Sequence, residues 1–175
     1  MNSYNLIVTP RQTGVSAGRA TELDILVRLQ APDSPPAITT QRRHGEIAAG
    51  QRNAFHEEFD LLQGPCARHV RLRLSAAPGI RARVLNDYDA AGPAVWRLPD
   101  LEYADEGWAL VCVEISRDAQ ERQIGGARMH LMDLEVELVD TQSRERLFIG
   151  AALHLPVASG HNTTASKVSS SGCPR

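Results

Sequence analysis

In four stretches of this chain apolar residues recur at every second position, the period of a strand with one face in a core and one in solvent. Val70, Leu72 and Leu74 alternate with His69, Arg71 and Arg73, and Ile80, Ala82 and Val84 alternate with Arg81 and Arg83. Met132, Leu134, Val136 and Leu138 alternate with Asp133, Glu135 and Glu137, while Leu23, Ile25, Val27 and Leu29 share one side of residues 22–29. Beside these stretches only residues 53–63 carry a helical spacing, so further helices are missing. The helices that would connect the strands of a parallel sheet are among those missing.

Further strands are expected at 4–9, ended by Pro10, and at 94–98 and 147–157. Residues 108–115 form a near-continuous apolar run, which suits a central strand buried on both faces. The segments 13–18, 31–36 and 86–93 read as turns and loops, and 141–146 as a polar turn. Ala76-Ala77-Pro78-Gly79 reads as the turn of a hairpin joining 69–75 to 80–84. One helix is expected over residues 53–63: Asn53 caps it, Glu57 and Glu58 suit its start, Phe55, Phe59 and Leu62 fall at helical spacing, and Gly64-Pro65 stops it. The expectation is a mainly β protein, an antiparallel β-sandwich of seven to nine strands with one short helix.

With 175 residues the chain has room for a single core of ordinary size, expected over residues 1–157. Residues 38–50 lack any period and read as a linker, and 158–175, rich in Ser, Thr, Gly and Asn, as a disordered tail. The formal charge of -2 argues against a nucleic-acid partner. No apolar run reaches the ~18 residues of a membrane span, and Met1 to Asn5 do not open a signal peptide, so the chain is expected in the cytoplasm. Cys66, Cys112 and Cys173 are widely spaced and form neither a disulfide framework nor a zinc knuckle. Lys167 is the only lysine beside many arginines, which suggests a GC-rich bacterial genome.

Catalytic patterns are wanting. His56-Glu57-Glu58 opens like the zinc-protease motif, but Asp60 stands where the second histidine ligand belongs. Of the six histidines, only His69, His130 and His154 could meet on a sheet face, and no metal or cofactor is expected. Nucleophile-elbow, P-loop and dinucleotide motifs are absent, so the protein is read as a non-enzyme. Asn162-Thr163-Thr164 matches a glycosylation triplet, by chance in a chain without a secretion signal. Trp96 and Trp108 are read as core anchors.

The feature left over is arginine. In a hairpin, Arg71 and Arg73 on one strand and Arg81 and Arg83 on the next line one face, where like charges need neutralising. Either the acidic stripe Asp133, Glu135 and Glu137 lies beside them as a ladder of ion pairs, or the face receives an anionic partner.

Val95-Trp96-Arg97-Leu98-Pro99-Asp100-Leu101-Glu102-Tyr103, followed by Glu106-Gly107-Trp108-Ala109-Leu110-Val111, resembles a segment found downstream of the A domain in bacterial von Willebrand factor type A domain proteins. Phe59-Asp60-Leu61-Leu62 and residues 68–86 resemble the stretch just before that segment. Thr9-Pro10-Arg11 and Leu23-Asp24-Ile25-Leu26-Val27-Arg28 are similar to the strands that precede the A domain. The resemblance covers residues 6–138 apart from the linker. It implies a β-sandwich that carries the A domain as an insertion, with the A domain binding a divalent metal through Asp-x-Ser-x-Ser for adhesion. This chain holds no Asp-x-Ser-x-Ser, and residues 38–50 stand where the insertion would belong. The resemblance therefore implies the supporting sandwich with its A domain missing, and no family metal ligand maps onto any residue here. Together these readings predict a scaffold or protein-interaction module with a protein partner, and with a homodimer through an unprotected sheet edge as a further expectation.

Overall fold

A computed structural model describes residues 3–16, 20–34, 64–122 and 128–158. The helix expected over 53–63, the linker 38–50 and the tail beyond Ala158 lie outside the described residues. Among the described residues ten strands form two sheets. The first has the order β1 (Asn5–Pro10), β3 (Thr21–Gln30), β8 (Glu106–Ile115), β5 (Ile80–Val84). The second has the order β2 (Val15–Ser16), β10 (Arg146–Ala158), β9 (Arg128–Asp140), β4 (Ala67–Ala76), β7 (Val95–Arg97), β6 (Ala90–Gly92). Neighbours are antiparallel except β2 and β10, which pair in parallel at Val157 and Ala158.

The mainly β class and the alternation are as the sequence predicts. Leu23, Ile25, Val27 and Leu29 of β3, Val70, Leu72 and Leu74 of β4, and Met132, Leu134, Val136 and Leu138 of β9 are all buried in one cluster fed by both sheets. The count exceeds seven to nine because β2 and β6 span two and three residues, too short to show any period. Pro10 ends β1 from within the strand. It pairs with Ile25 as the last residue of an edge strand, where a missing N–H breaks no ladder.

Two expectations are corrected. First, β4 and β5 are not a hairpin: β4 sits in the six-stranded sheet and β5 at the edge of the four-stranded one. The link 76–79 is an arch between sheets, closed by the Ile80 N–H donating to the Ala77 carbonyl (3.0 Å) and by Gly79 at φ 81°. Second, β8 is not buried on both faces. Ala109, Val111, Val113 and Ile115 point into the core, but Trp108 on the outer side is 51% exposed, so it is no core anchor. Trp96 is half-buried and packs against the core.

The helix among the described residues is α1 (Arg117–Arg122), just after β8. Ser116 caps it, its hydroxyl accepting from the Ala119 N–H at 3.2 Å, and Arg117 pairs with Glu121 one turn on at 2.7 Å. Buried Ala119 and Gln120 fix it to the sandwich, the Gln120 amide donating to the Thr21 hydroxyl at 3.1 Å. No helix among the described residues is long and apolar enough to cross a membrane.

Candidate interaction surfaces

Because β4 and β5 belong to different sheets, the four arginines do not share a face. Arg71 and Arg73 lie on the outer side of the six-stranded sheet, in register with Glu137 and Glu135 of β9. Their guanidinium groups approach those carboxylates to 4.0 Å and 3.8 Å, and Arg146 of β10 reaches Glu137 at 2.9 Å. Part of the expected ladder is present: Glu135 and Glu137 meet Arg73 and Arg71, whereas Asp133 pairs with His130 and the β5 arginines lie on the other sheet. Each exposed pair contributes at most ~1 kcal/mol and leaves little net charge to draw an anion.

Arg81 and Arg83 stand on the outer side of the four-stranded sheet, opposite Glu114 and Cys112 of β8. Cys112 is buried there and its thiol donates to the Glu22 carboxylate at 3.1 Å. Burial first, then the Glu22 contact, push that thiol above its ordinary pKa, with Arg83 pulling the other way. It is therefore a protonated thiol rather than a reactive thiolate. Cys66 and Cys112 are both free.

The histidines separate. His130 and His154 come together across β9 and β10, with ring centroids 4.8 Å apart and His130 at 3.0 Å from Asp133. His69 lies at the opposite end of β4, beside the stretch that pairs with Val139 and Asp140. Among the described residues no three ligating side chains converge as a metal site would require.

A set of loop hydrogen bonds closes the pole where β3 ends and β4 begins. The Ala31 N–H donates to the Asp105 carbonyl (3.0 Å) and the Ala104 N–H to the Pro32 carbonyl (2.8 Å). Ala67 and Leu101 exchange both backbone hydrogen bonds, at 3.1 and 3.0 Å. The chain thus departs after Pro32 and returns before Ala67 on the same short loop, 101–105. A polar cluster braces the return. The Tyr4 hydroxyl lies 2.9 Å from both the Cys66 carbonyl and the Asp140 carboxylate, and the Thr141 hydroxyl donates to the Pro65 carbonyl at 2.9 Å. Asp140 also accepts from the Ser143 N–H, the Ser143 hydroxyl and the Gln142 N–H. Burial pushes its carboxyl up, but these hydrogen bonds outweigh burial and hold it below the ordinary carboxylate value. Burial, then the bond to Asp140, push the Tyr4 phenol far upward, so it remains a donor at any physiological pH. A sequence reading misses this cluster, because Tyr4 and Asp140 are 136 positions apart and neither belongs to a motif.

Comparison with protein-family models finds no match, and no curated protein matches. Among solved structures, a variant of BcpA, the major pilin subunit of Bacillus cereus, aligns with a TM-score of 0.49 at 6% identity. The alignment covers 91% of this chain and 40% of that one. A second BcpA structure aligns with a TM-score of 0.43 at 6% identity over the same shares of the two chains. A FixG-related protein from Vibrio parahaemolyticus aligns with a TM-score of 0.30 at 8% identity, covering 88% of this chain and 95% of that one. The chain spans 40% of the length of the two pilin structures. Alignments this distant leave the chain's own residues as the ground for any functional reading.

Proposed function

We propose that this chain is a non-enzymatic β-sandwich scaffold whose task is to hold, at one pole, what lies between β3 and β4. The observation that carries this reading is the double anchorage on the loop 101–105. Ala31 and Pro32 on the outgoing side and Ala67 on the incoming side are each fixed by backbone hydrogen bonds to residues within five positions of one another. Anchors held this close together let segments of different length stand between them, since loop closure rises only slowly with length. The resemblance to the support region of von Willebrand factor type A domain proteins agrees with this geometry, since residues 38–50 fall between the anchors. A protein partner is expected to be met at this pole, in the cytoplasm. An anion-binding role for Arg71, Arg73, Arg81 and Arg83 finds no support in their placement: the first two are matched by Glu137 and Glu135, and the last two lie on the other sheet.

The test is to replace residues 38–50 with a compact reporter domain whose own termini lie side by side. The expected result is a folded reporter and a sandwich that melts within about 3 °C of the parent, the shift that a change of roughly 1 kcal/mol produces in a domain of this size. Loss of the sandwich transition on insertion would show that the pole does not serve as a mount.

A further inference from the structure

Every open sheet has two edges, and a strand with unpaired backbone on one side invites another strand unless something blocks it. Three of the edges here are blocked or short. β1 is six residues long and ends in Pro10, β5 is five residues long and carries Arg81 and Arg83, and β6 has three residues. The fourth edge is different. β2 covers β10 only at Val157 and Ala158, and Val8, Pro10 and Thr13 face residues 152–156 across a shallow cavity. Among the described residues, 146–151 pair with β9 alone.

This open stretch reads Arg146-Leu147-Phe148-Ile149-Gly150-Ala151 and continues into Ala152 and Leu153. It has no lysine, proline or carboxylate, and its register with β9 is unbroken until the shift at Leu153. Its one charge, Arg146, is already engaged by Glu137. Phe148 stands 61% exposed on the outer face. Beside it Gly150 and Ala152 leave a shallow depression lined also by Arg73, Ser75, Asp133 and Glu135. On the inner face Leu147 and Ile149 touch the core yet stay half-buried, and among the described residues no strand lies beyond them.

We propose that this edge pairs with the same edge of a second copy of the chain, antiparallel, about a two-fold axis at Ile149. The register is set by self-complementarity. Pairing Ile149 with Ile149 puts each Phe148 opposite the other copy's Gly150, so that an exposed ring covers the position that lacks a side chain. The same register sets each Arg146 opposite the other copy's Ala152, whose neighbour across β9 is Asp133. Asp133 is 63% exposed and lies about 10 Å from the incoming Arg146 backbone, two strand spacings, so an extended Arg146 can exchange Glu137 of its own chain for Asp133 of the other copy. Parallel pairing would set like ends together and lose both matches. The inner-face pairs, Leu147 with Ala151 and Ile149 with itself, extend the core across the axis. The result is an isologous dimer with a continuous twelve-stranded sheet, six strands from each copy.

The experiment is sedimentation equilibrium on the full chain, with Phe148→Lys and Ala152→Lys as variants. The wild type is expected to dimerise with a dissociation constant in the micromolar range. Either lysine should weaken this by about tenfold or more while leaving the thermal transition of dilute protein unchanged, since both sites face solvent in the monomer. If Phe148→Lys disturbs folding, Ala152→Lys alone must give the loss. Ile149→Cys in a Cys173→Ser background reports the register, because a thiol on the two-fold axis forms a disulfide with its own copy in the partner. A wild type that is monomeric at roughly 100 µM overturns the proposal. So does a dimer indifferent to both lysines, or a dimer of the Ile149→Cys variant that fails to cross-link under oxidation.

Discussion

Asp140 closes the polar cluster at the pole, and its chemistry sets how the fold should answer to acid. Its carboxylate gathers hydrogen bonds from Tyr4, Ser143 and Gln142, and its pKa lies below the ordinary value of 3.8. A group whose folded pKa is depressed stabilises the fold fully above its unfolded pKa and loses that contribution as pH falls through the folded one. Asp140→Asn should therefore cost about 1–3 kcal/mol at neutral pH, through the loss of charge-assisted hydrogen bonds. The difference in melting temperature between wild type and variant should then shrink as pH drops below about 4 and vanish once Asp140 is protonated. Thermal melts of both proteins from pH 7 down to the acid limit measure it, and a difference that stays constant would show that the ionised form of Asp140 is not what the cluster stabilises. Tyr4→Phe removes one donor and should reproduce a part of the effect, about 1 kcal/mol.

At the scale of elements, the alternation in β3, β4 and β9 is plain in the sequence because one face is buried and the period is short. What the sequence leaves ambiguous is which strands pair. The link Ala76-Ala77-Pro78-Gly79 suits a hairpin turn and an arch equally well, since in both geometries Val70, Leu72, Leu74, Ile80 and Val84 point to the core. Only hydrogen-bond partners separate the two, and these belong to distant strands, so the arginine face dissolves when β5 proves to pair with β8. The helix α1 carries ordinary start signals, with Ser116 as cap, Asp118 in the first turn and the Arg117–Glu121 spacing, but they are overshadowed by the apolar run before them. A local irregularity in β4 leaves no such trace. His69 sits at φ 56°, so that Arg68 and His69 both face out and the register with β9 shifts between Arg68 and Arg71. The freed His69 N–H is taken by the Asp100 carboxylate at 3.0 Å. Asp100→Ala should leave this bulge unbraced and cost about 1 kcal/mol by urea titration, with no change in the slope of the transition. A cost near zero would mean that water replaces the carboxylate without loss.

At the scale of the whole molecule, two sheets share one buried cluster, and neither can keep its inner face dry without the other. Val111 of β8 and Leu134 of β9 are buried side chains on opposite sheets. If the sandwich is one cooperative unit, truncating either should lower the same transition. Leu134→Ala should cost about 2–5 kcal/mol and Val111→Ala somewhat less, since each removes buried methyl groups and leaves a cavity that rigid strands cannot close. Near-UV circular dichroism, which follows Trp96 and Trp108, and far-UV circular dichroism, which follows the sheets, should trace coincident melts in both variants. The two tryptophans make the comparison sharp: Trp96 belongs to the six-stranded sheet and Trp108 to the four-stranded one. If Leu134→Ala let the Trp96 environment melt ahead of the backbone signal, the six-stranded sheet would be unfolding on its own, and the scaffold would consist of two loosely joined layers. Coincident curves would instead mean that the two sheets unfold as one unit, so that a change made in either is felt by the entire sandwich.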